Sequence, residues 1–265
     1  MKHKPETIGL IIAIVVGFFS LSVFSAQATK SRIEITPVAY MNLPIIVGAT
    51  ATPQPSPTPI PSPTPEPTPP NPFIYNPSFE DENWETVELG NQAPDGWDLN
   101  LVPIGAPLFS ETDYFAGGQC ECIHKYNWQL PPNEQLGGPD ALILEGQLTY
   151  KIFSTNSFGT ELRQETLNVP VGSTWRVTIP VRIHKHQDFT DWSAASRVIV
   201  NGEILSDWVW DVQAGDRTWY EHQVEFFVPD DGVVDIQIQF MSRLPIPRDF
   251  FIDHIRAEFL GWQGE

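Results

Sequence analysis

Apolar and polar positions alternate with a period of two through most of the last two-thirds of the chain. In Trp175–His184, one face carries Trp175, Val177, Ile179, Val181 and Ile183. The other carries Arg176, Thr178, Arg182 and His184, with Pro180. Val234, Ile236, Ile238 and Phe240 alternate with Asp235, Gln237 and Gln239, and Tyr220, His222, Val224, Phe226 and Val228 define a third face. Each run reads as a strand with one side buried and the other wet. Arg197–Val200 and Glu203–Trp210 flank Asn201-Gly202, a strong hairpin signal. No useful window has the 3.6-residue period of a helix. Many half-buried strands at close spacing predict an all-β fold, a β-sandwich or jelly roll, over residues 73–265. A module of that length buries roughly 70 % of its extended-chain surface, enough for a core of its own.

The chain before residue 73 follows other patterns. Lys2, His3 and Lys4 precede an apolar run, residues 8–24, that reads as an apolar N-terminal helix; Ser25-Ala26-Gln27-Ala28 follows. This is the order of a secretory signal peptide cleaved after Ala28, or of an uncleaved membrane anchor. Either reading makes residues 1–28 an export segment and places the module outside the cytoplasm, secreted or at the cell surface. Residues 29–52 form an unassigned spacer. Its stretch 33–47 is too short to span a bilayer and reads as a stray strand, a linker segment or a contact with a partner. Residues 53–72 hold 11 of the chain's 26 prolines. Proline fixes φ and removes the amide donor, so this Pro/Thr/Ser-rich linker is disordered, extended polyproline II, roughly 60 Å long.

Charge narrows the partners. The chain has 15 basic and 33 acidic residues, and residues 73–265 hold 11 basic against 30 acidic ones, a net charge of −19. Such a module repels phosphate backbones, which excludes nucleic acid, and it is not drawn to anionic lipid. Contact with a membrane is expected only through residues 8–24, if uncleaved. A neutral ligand, a cation or a protein partner remains. All nine Trp lie after residue 83.

The ends of the module carry a resemblance. It opens Asn76-Pro77-Ser78-Phe79-Glu80, reaches Ala93-Pro94-Asp95-Gly96-Trp97, continues through Gln164 to Val169-Pro170-Val171-Gly172, and closes Phe250-Phe251-Ile252-Asp253-His254-Ile255. In this order the motifs resemble the galactose-binding-like jelly rolls that include cellulase- and xylanase-type carbohydrate-binding modules. Leu130–Gln135, Leu144-Glu145-Gly146 and Lys151-Ile152-Phe153 are similar to a subgroup that follows Pro/Thr-rich linkers in secreted bacterial proteins. The resemblance implies a non-catalytic module binding polysaccharide or glycan; a structural or interaction module that meets envelope proteins is the alternative. It also implies a structural Ca2+ between Glu80 and Asp253. Asp253 has its own warrant, because period-two spacing puts it on one face with Phe251, Ile255, Ala257 and Phe259, and a core-facing carboxylate is costly unless paired or metal-bound. The competing reading has Asp253 accepting backbone N–H groups and Glu80 solvated.

Sugar rings stack on exposed aromatics while carboxylates and amides bind their hydroxyls. Trp128, Trp192, Trp208 and Trp210 occupy loop-like or strand-end contexts, and Glu121, Glu134 and Lys151 fall within the subgroup-like stretch. These seven are the candidate ligand contacts, against the alternative that the Trp fill or cap the sandwich; Trp97, Trp175 and Trp219 read as packing residues. His184 and His186, two apart on one face with Asp188 and Asp191 behind, form either polar surface or a pair able to share a transition metal. Cys120 and Cys122 are candidates for a local disulfide that requires a bend, or for free thiols. No G-x-S-x-G, H-E-x-x-H, glycine-rich phosphate loop or E-x-D-x-x-E strand occurs, so a glycan hydrolase or lyase would need acids from distant strands.

Overall fold

The computed structural model describes residues 72–263, apart from Ser110 and residues 187–189. The expectations for residues 1–71 and for Asp188 lie outside the described residues. The chain begins with β1 (Glu85–Thr86) and β2 (Gln92–Ala93), a short pair, and then β3 (Asp98–Leu101). β4 (Pro107–Leu108) and β5 (Glu111–Phe115) form a second short pair. β6 (Glu121–Tyr126), β7 (Leu148–Ser154), β8 (Phe158–Thr166) and β9 (Ser173–His184) follow. β10 (Ala194–Val200) and β11 (Glu203–Trp210) make the hairpin predicted at Asn201-Gly202, whose φ angles of 51° and 79° suit a primed turn. After the short helix α1 (Asp211–Ala214) come β12 (Trp219–Phe227), β13 (Val234–Ser242), β14 (Arg248–Ile252) and β15 (Arg256–Trp262).

These strands build two antiparallel sheets. One runs β11-β10-β13-β8-β3; the other runs β12-β9-β14-β7-β6, with β15 also pairing β9. Non-consecutive neighbours on both sheets give the jelly-roll β-sandwich that the alternation predicts. The faces with Trp175, Val177 and Ile179 on one sheet and Ile236, Ile238 and Phe240 on the other meet in a single core. Phe240 and Phe250 touch edge to face across it, ring centroids 5.4 Å apart. His222 lies in this core, bonded to Ser196 Oγ (2.9 Å) and Ser206 Oγ (2.7 Å). Burial pushes its pKa down to about 4.

β9 explains how the last strands are laid out. One of its edges pairs β12 through Thr174–Arg182; the other pairs β15 through Ser173–Thr178 and β14 through Val181–His184, which leaves Ile179 and Pro180 without partners on that edge. A residue with no N–H is tolerated where no ladder bond is required. Opposite this gap the neighbouring chain leaves the sheet at residues 253–255. The break corrects the predicted face: Phe251 points outward against Leu130, Leu142 and Ile143, while Ile255 joins the main core. Asp253 sits in the break, fully buried.

Two outcomes follow from this core. Trp175→Ala should lower the unfolding free energy by about 3–5 kcal/mol in denaturant titration, because its side chain is 1 % exposed in the main core, edge-on to Phe73 and Phe259. An unfolded His222 takes up a proton below about 6.5 while the folded one resists until about 4. Its contribution to stability is therefore lost as pH falls from about 6.5 to 4, so the Tm of the unmodified chain should fall relative to His222→Gln over that window; a constant difference refutes it.

Candidate functional site

The outer face of the five-stranded sheet is built by the polar halves of the alternation. Register pairs Arg197 with Gln239, Gln239 with Glu161 and Glu161 with Asn100, so one row crosses four strands. The side chains are bonded in sequence along it. Arg197 Nε donates to Gln239 Oε1 (2.7 Å), Gln239 Nε2 to Glu161 Oε2 (2.7 Å), and Asn100 Nδ2 to Glu161 Oε1 (3.2 Å). The next row places Arg163 beside Gln237, with Asp235 accepting from Arg163 Nε (2.7 Å) and Gln237 Nε2 (2.7 Å). Asp98, Arg163 and Glu165 then line a cleft of about 350 Å³ with Asn83, Glu85 and Asp95.

Aromatic rings close the other end of this face. Trp208 lies half-buried on β11, with the Arg197 guanidinium 4.4 Å from its ring centroid and Phe109 5.7 Å away. Arg243 repeats the arrangement, 3.8 Å from Trp210 and 4.6 Å from Tyr114, and it is paired to Glu111 (2.6 Å). Trp192, 53 % exposed, leans on Trp210 at 6.2 Å. Cations clamped against rings hold both in place. Burial lowers the Arg197 pKa without discharging it. Trp208 Nε1 has no hydrogen-bond partner among the described residues.

The structure thus brings together Trp192, Trp208 and Trp210, and it adds Arg197, Gln239, Glu161 and Asn100. Glu134 and Lys151 lie elsewhere, in a cleft of about 260 Å³ on the outer face of the six-stranded sheet with His184, His186 and Asp249. Glu121 is on that same face, in the cross-strand row His184–Asp249–Phe153–Glu121. Trp128 is 75 % exposed beyond the end of β6 and stacks on Tyr126 at 5.9 Å. The seven candidates therefore do not form one site. Cys120 and Cys122 are free, buried thiols with Sγ atoms 2.9 Å apart.

Glu80 and Asp253 both accept backbone N–H groups of the loop at residues 144–148. Glu80 Oε1 accepts from Gln147 N (2.9 Å) and Leu148 N (2.8 Å), so it is not simply solvated. Asp253 Oδ2 accepts from Leu144 N (2.6 Å) and Glu145 N (3.2 Å), while its Oδ1 is buried without a partner. Burial, with a smaller push from the Glu80 charge, raises its pKa to about 7 despite those amide donors. Gly146, at φ +70°, lets the Glu80 carboxylate lie against the chain; a Cβ there would sit 2.2 Å from Oε1. An orphaned buried carboxylate oxygen beside a second carboxylate is a donor set that fits a hard cation.

No protein-family model and no curated protein matches the chain. Among solved structures it is similar to TmCBM61 in complex with β-1,4-galactotriose, at 18 % identity over 71 % of this chain and 98 % of that one, with a TM-score of 0.44. A cyclase from Fischerella sp. TAU (13 % identity, 69 % and 94 % covered, TM-score 0.41) and a xylan-binding domain from CBM 22 (11 %, 71 % and 94 %, 0.37) are also similar. The likeness is one of overall fold.

Proposed function

We propose that the chain is an exported, non-catalytic module that binds neutral polysaccharide or glycan outside the cytoplasm, held on its Pro-rich stalk. The observation that carries this reading is the bonded row Asn100–Glu161–Gln239–Arg197 ending on Trp208. Its reachable polar groups for hydroxyls are Asn100 and Glu161, held in place by the buried Gln239 and Arg197, and the half-buried Trp208 adds a ring edge for the C–H face of a sugar. The net charge of −19 favours an uncharged polymer over an anionic one. An envelope-protein interface is the second reading, favoured by Ile104 and Phe115, which are exposed around the β4–β5 hairpin.

A Ca2+ held by Glu80 and Asp253, with backbone carbonyls, belongs to the same proposal as a structural ion. The ion would neutralise the carboxylate that burial penalises and tie the opening segment to the break before β15.

On a glycan array the chain should bind at least one neutral glycan. Trp208→Ala and Glu161→Gln should each weaken that binding by about tenfold without unfolding the protein. No binding at millimolar glycan sinks the reading, and new reducing ends released from the bound polymer would refute the non-catalytic part of it.

The calcium expectation has a defined pH sign. The folded pKa of Asp253 lies above its ordinary value, so without an ion its contribution is present at low pH and lost as pH rises through about 7. Added Ca2+ should therefore raise the Tm markedly at pH 8 and little at pH 5, and Asp253→Asn should abolish the response. An unchanged Tm after chelation at pH 8 excludes the ion.

A further inference from the structure

The cleft on the six-stranded sheet contains a cluster that the saccharide reading leaves unused. We propose that His184, His186 and Asp249 bind one divalent transition-metal ion of the zinc class. The site is separate from the Glu80–Asp253 pair and from the Trp208 face.

Two imidazoles and a carboxylate are borderline donors, which suit zinc or cobalt better than calcium or magnesium. One donor atom from each of the three residues lies within 4.8 Å of the others. Asp249 Oδ2 is 3.5 Å from His184 Nδ1 and 2.5 Å from His186 Nε2. Bonds of about 2.05 Å at tetrahedral angles place neighbouring donors roughly 3.3 Å apart, between those two values. The backbone produces the cluster directly. Asp249 is the cross-strand partner of His184, and His186, at φ 47° just past the end of β9, turns back over it. The cleft beyond, with Glu134 on its wall, leaves room for a fourth ligand.

Asp249 also requires positive charge. It is 3 % exposed, and a buried carboxylate is tolerated only with a partner. Lys151 Nζ, 3.1 Å from Oδ1, meets that need now. A metal ion would take over part of it, with Lys151 remaining on the other oxygen.

Binding requires specific rearrangements. Arg217 donates to His184 Nε2 (2.7 Å), so Nδ1 carries the proton of the neutral ring. A metal on Nδ1 moves that proton to Nε2, which can no longer accept from Arg217. Arg217 is exposed and is free to swing into solvent. The two rings stack at 4.0 Å and 21°, an arrangement that cannot aim both lone pairs at one ion. His186, at the mouth of the cleft, must therefore turn out of the stack.

The test is calorimetric titration of the full chain with Zn2+, together with the visible spectrum of its Co2+ complex. One Zn2+ per chain is expected. His186→Ala and Asp249→Asn should weaken it by more than about tenfold. Arg217→Met, which removes the competing donor, should tighten it. Co2+ should give the intense d–d bands of a tetrahedral site, lost in His184→Ala. Equal Zn2+ affinity in the unmodified chain and both histidine variants overturns the proposal, as does no Zn2+ binding at millimolar ion. Should a variant fail to fold, the Co2+ spectrum of the unmodified chain decides, and a spectrum without those bands refutes the site.

Discussion

The arrangement of this module depends on one buried carboxylate in a gap between strands. Pro180 leaves part of the β9 edge unpaired, the neighbouring chain leaves the sheet there, and Asp253 is delivered to the interior. From that position it accepts the amides of Leu144 and Glu145, while Ile255 N bonds Pro77 O. The opening segment, the long loop before β7 and the final strand pair are thereby fixed to one point. Glu80 anchors the same loop from the other side through Gln147 and Leu148. The loop in turn lays Leu130, Leu142 and Ile143 over Phe251 and walls the cleft in which His184 and Asp249 meet.

The two outer faces of the sandwich have diverged in chemistry while sharing one core. The five-stranded face is a continuous set of amides, carboxylates and clamped guanidinium groups that meets aromatic rings at one end. The six-stranded face is broken up by its covering loop, which leaves a small open cleft where imidazoles and a lysine surround an acid. Burial pushes the Asp249 carboxyl up, but His184, Lys151 and His186 together hold it below its ordinary value. The first face suits an extended ligand and the second suits something compact.

Much of the fold was legible in the sequence because period-two burial is a local signal. The inward faces of β9, β12 and β13 and the turn at Asn201-Gly202 could be read residue by residue. The polar half of β13, Asp235, Gln237 and Gln239, was visible as well. Its meaning was not, because the row depends on strands β3, β8, β13 and β10 lying side by side, and the sequence does not state that order. Asp249 escaped for the same reason: its neighbours in sequence are apolar or basic, and only the pairing of β14 with β9 puts it against His184. The Asp253 face was misread because regular alternation was carried through a break that only the unpaired β9 edge reveals.

The contact between Asp253 and Leu144 spans 109 residues. Loop closure over that distance brings no gain until the intervening strands have been gathered, so this contact belongs to the end of folding. Interactions that form after the transition state slow unfolding and leave the folding rate nearly untouched. The carboxylate in the gap is thus a latch on the lifetime of the folded module, a property that counts wherever an opened chain is cleaved or aggregates before it can reclose.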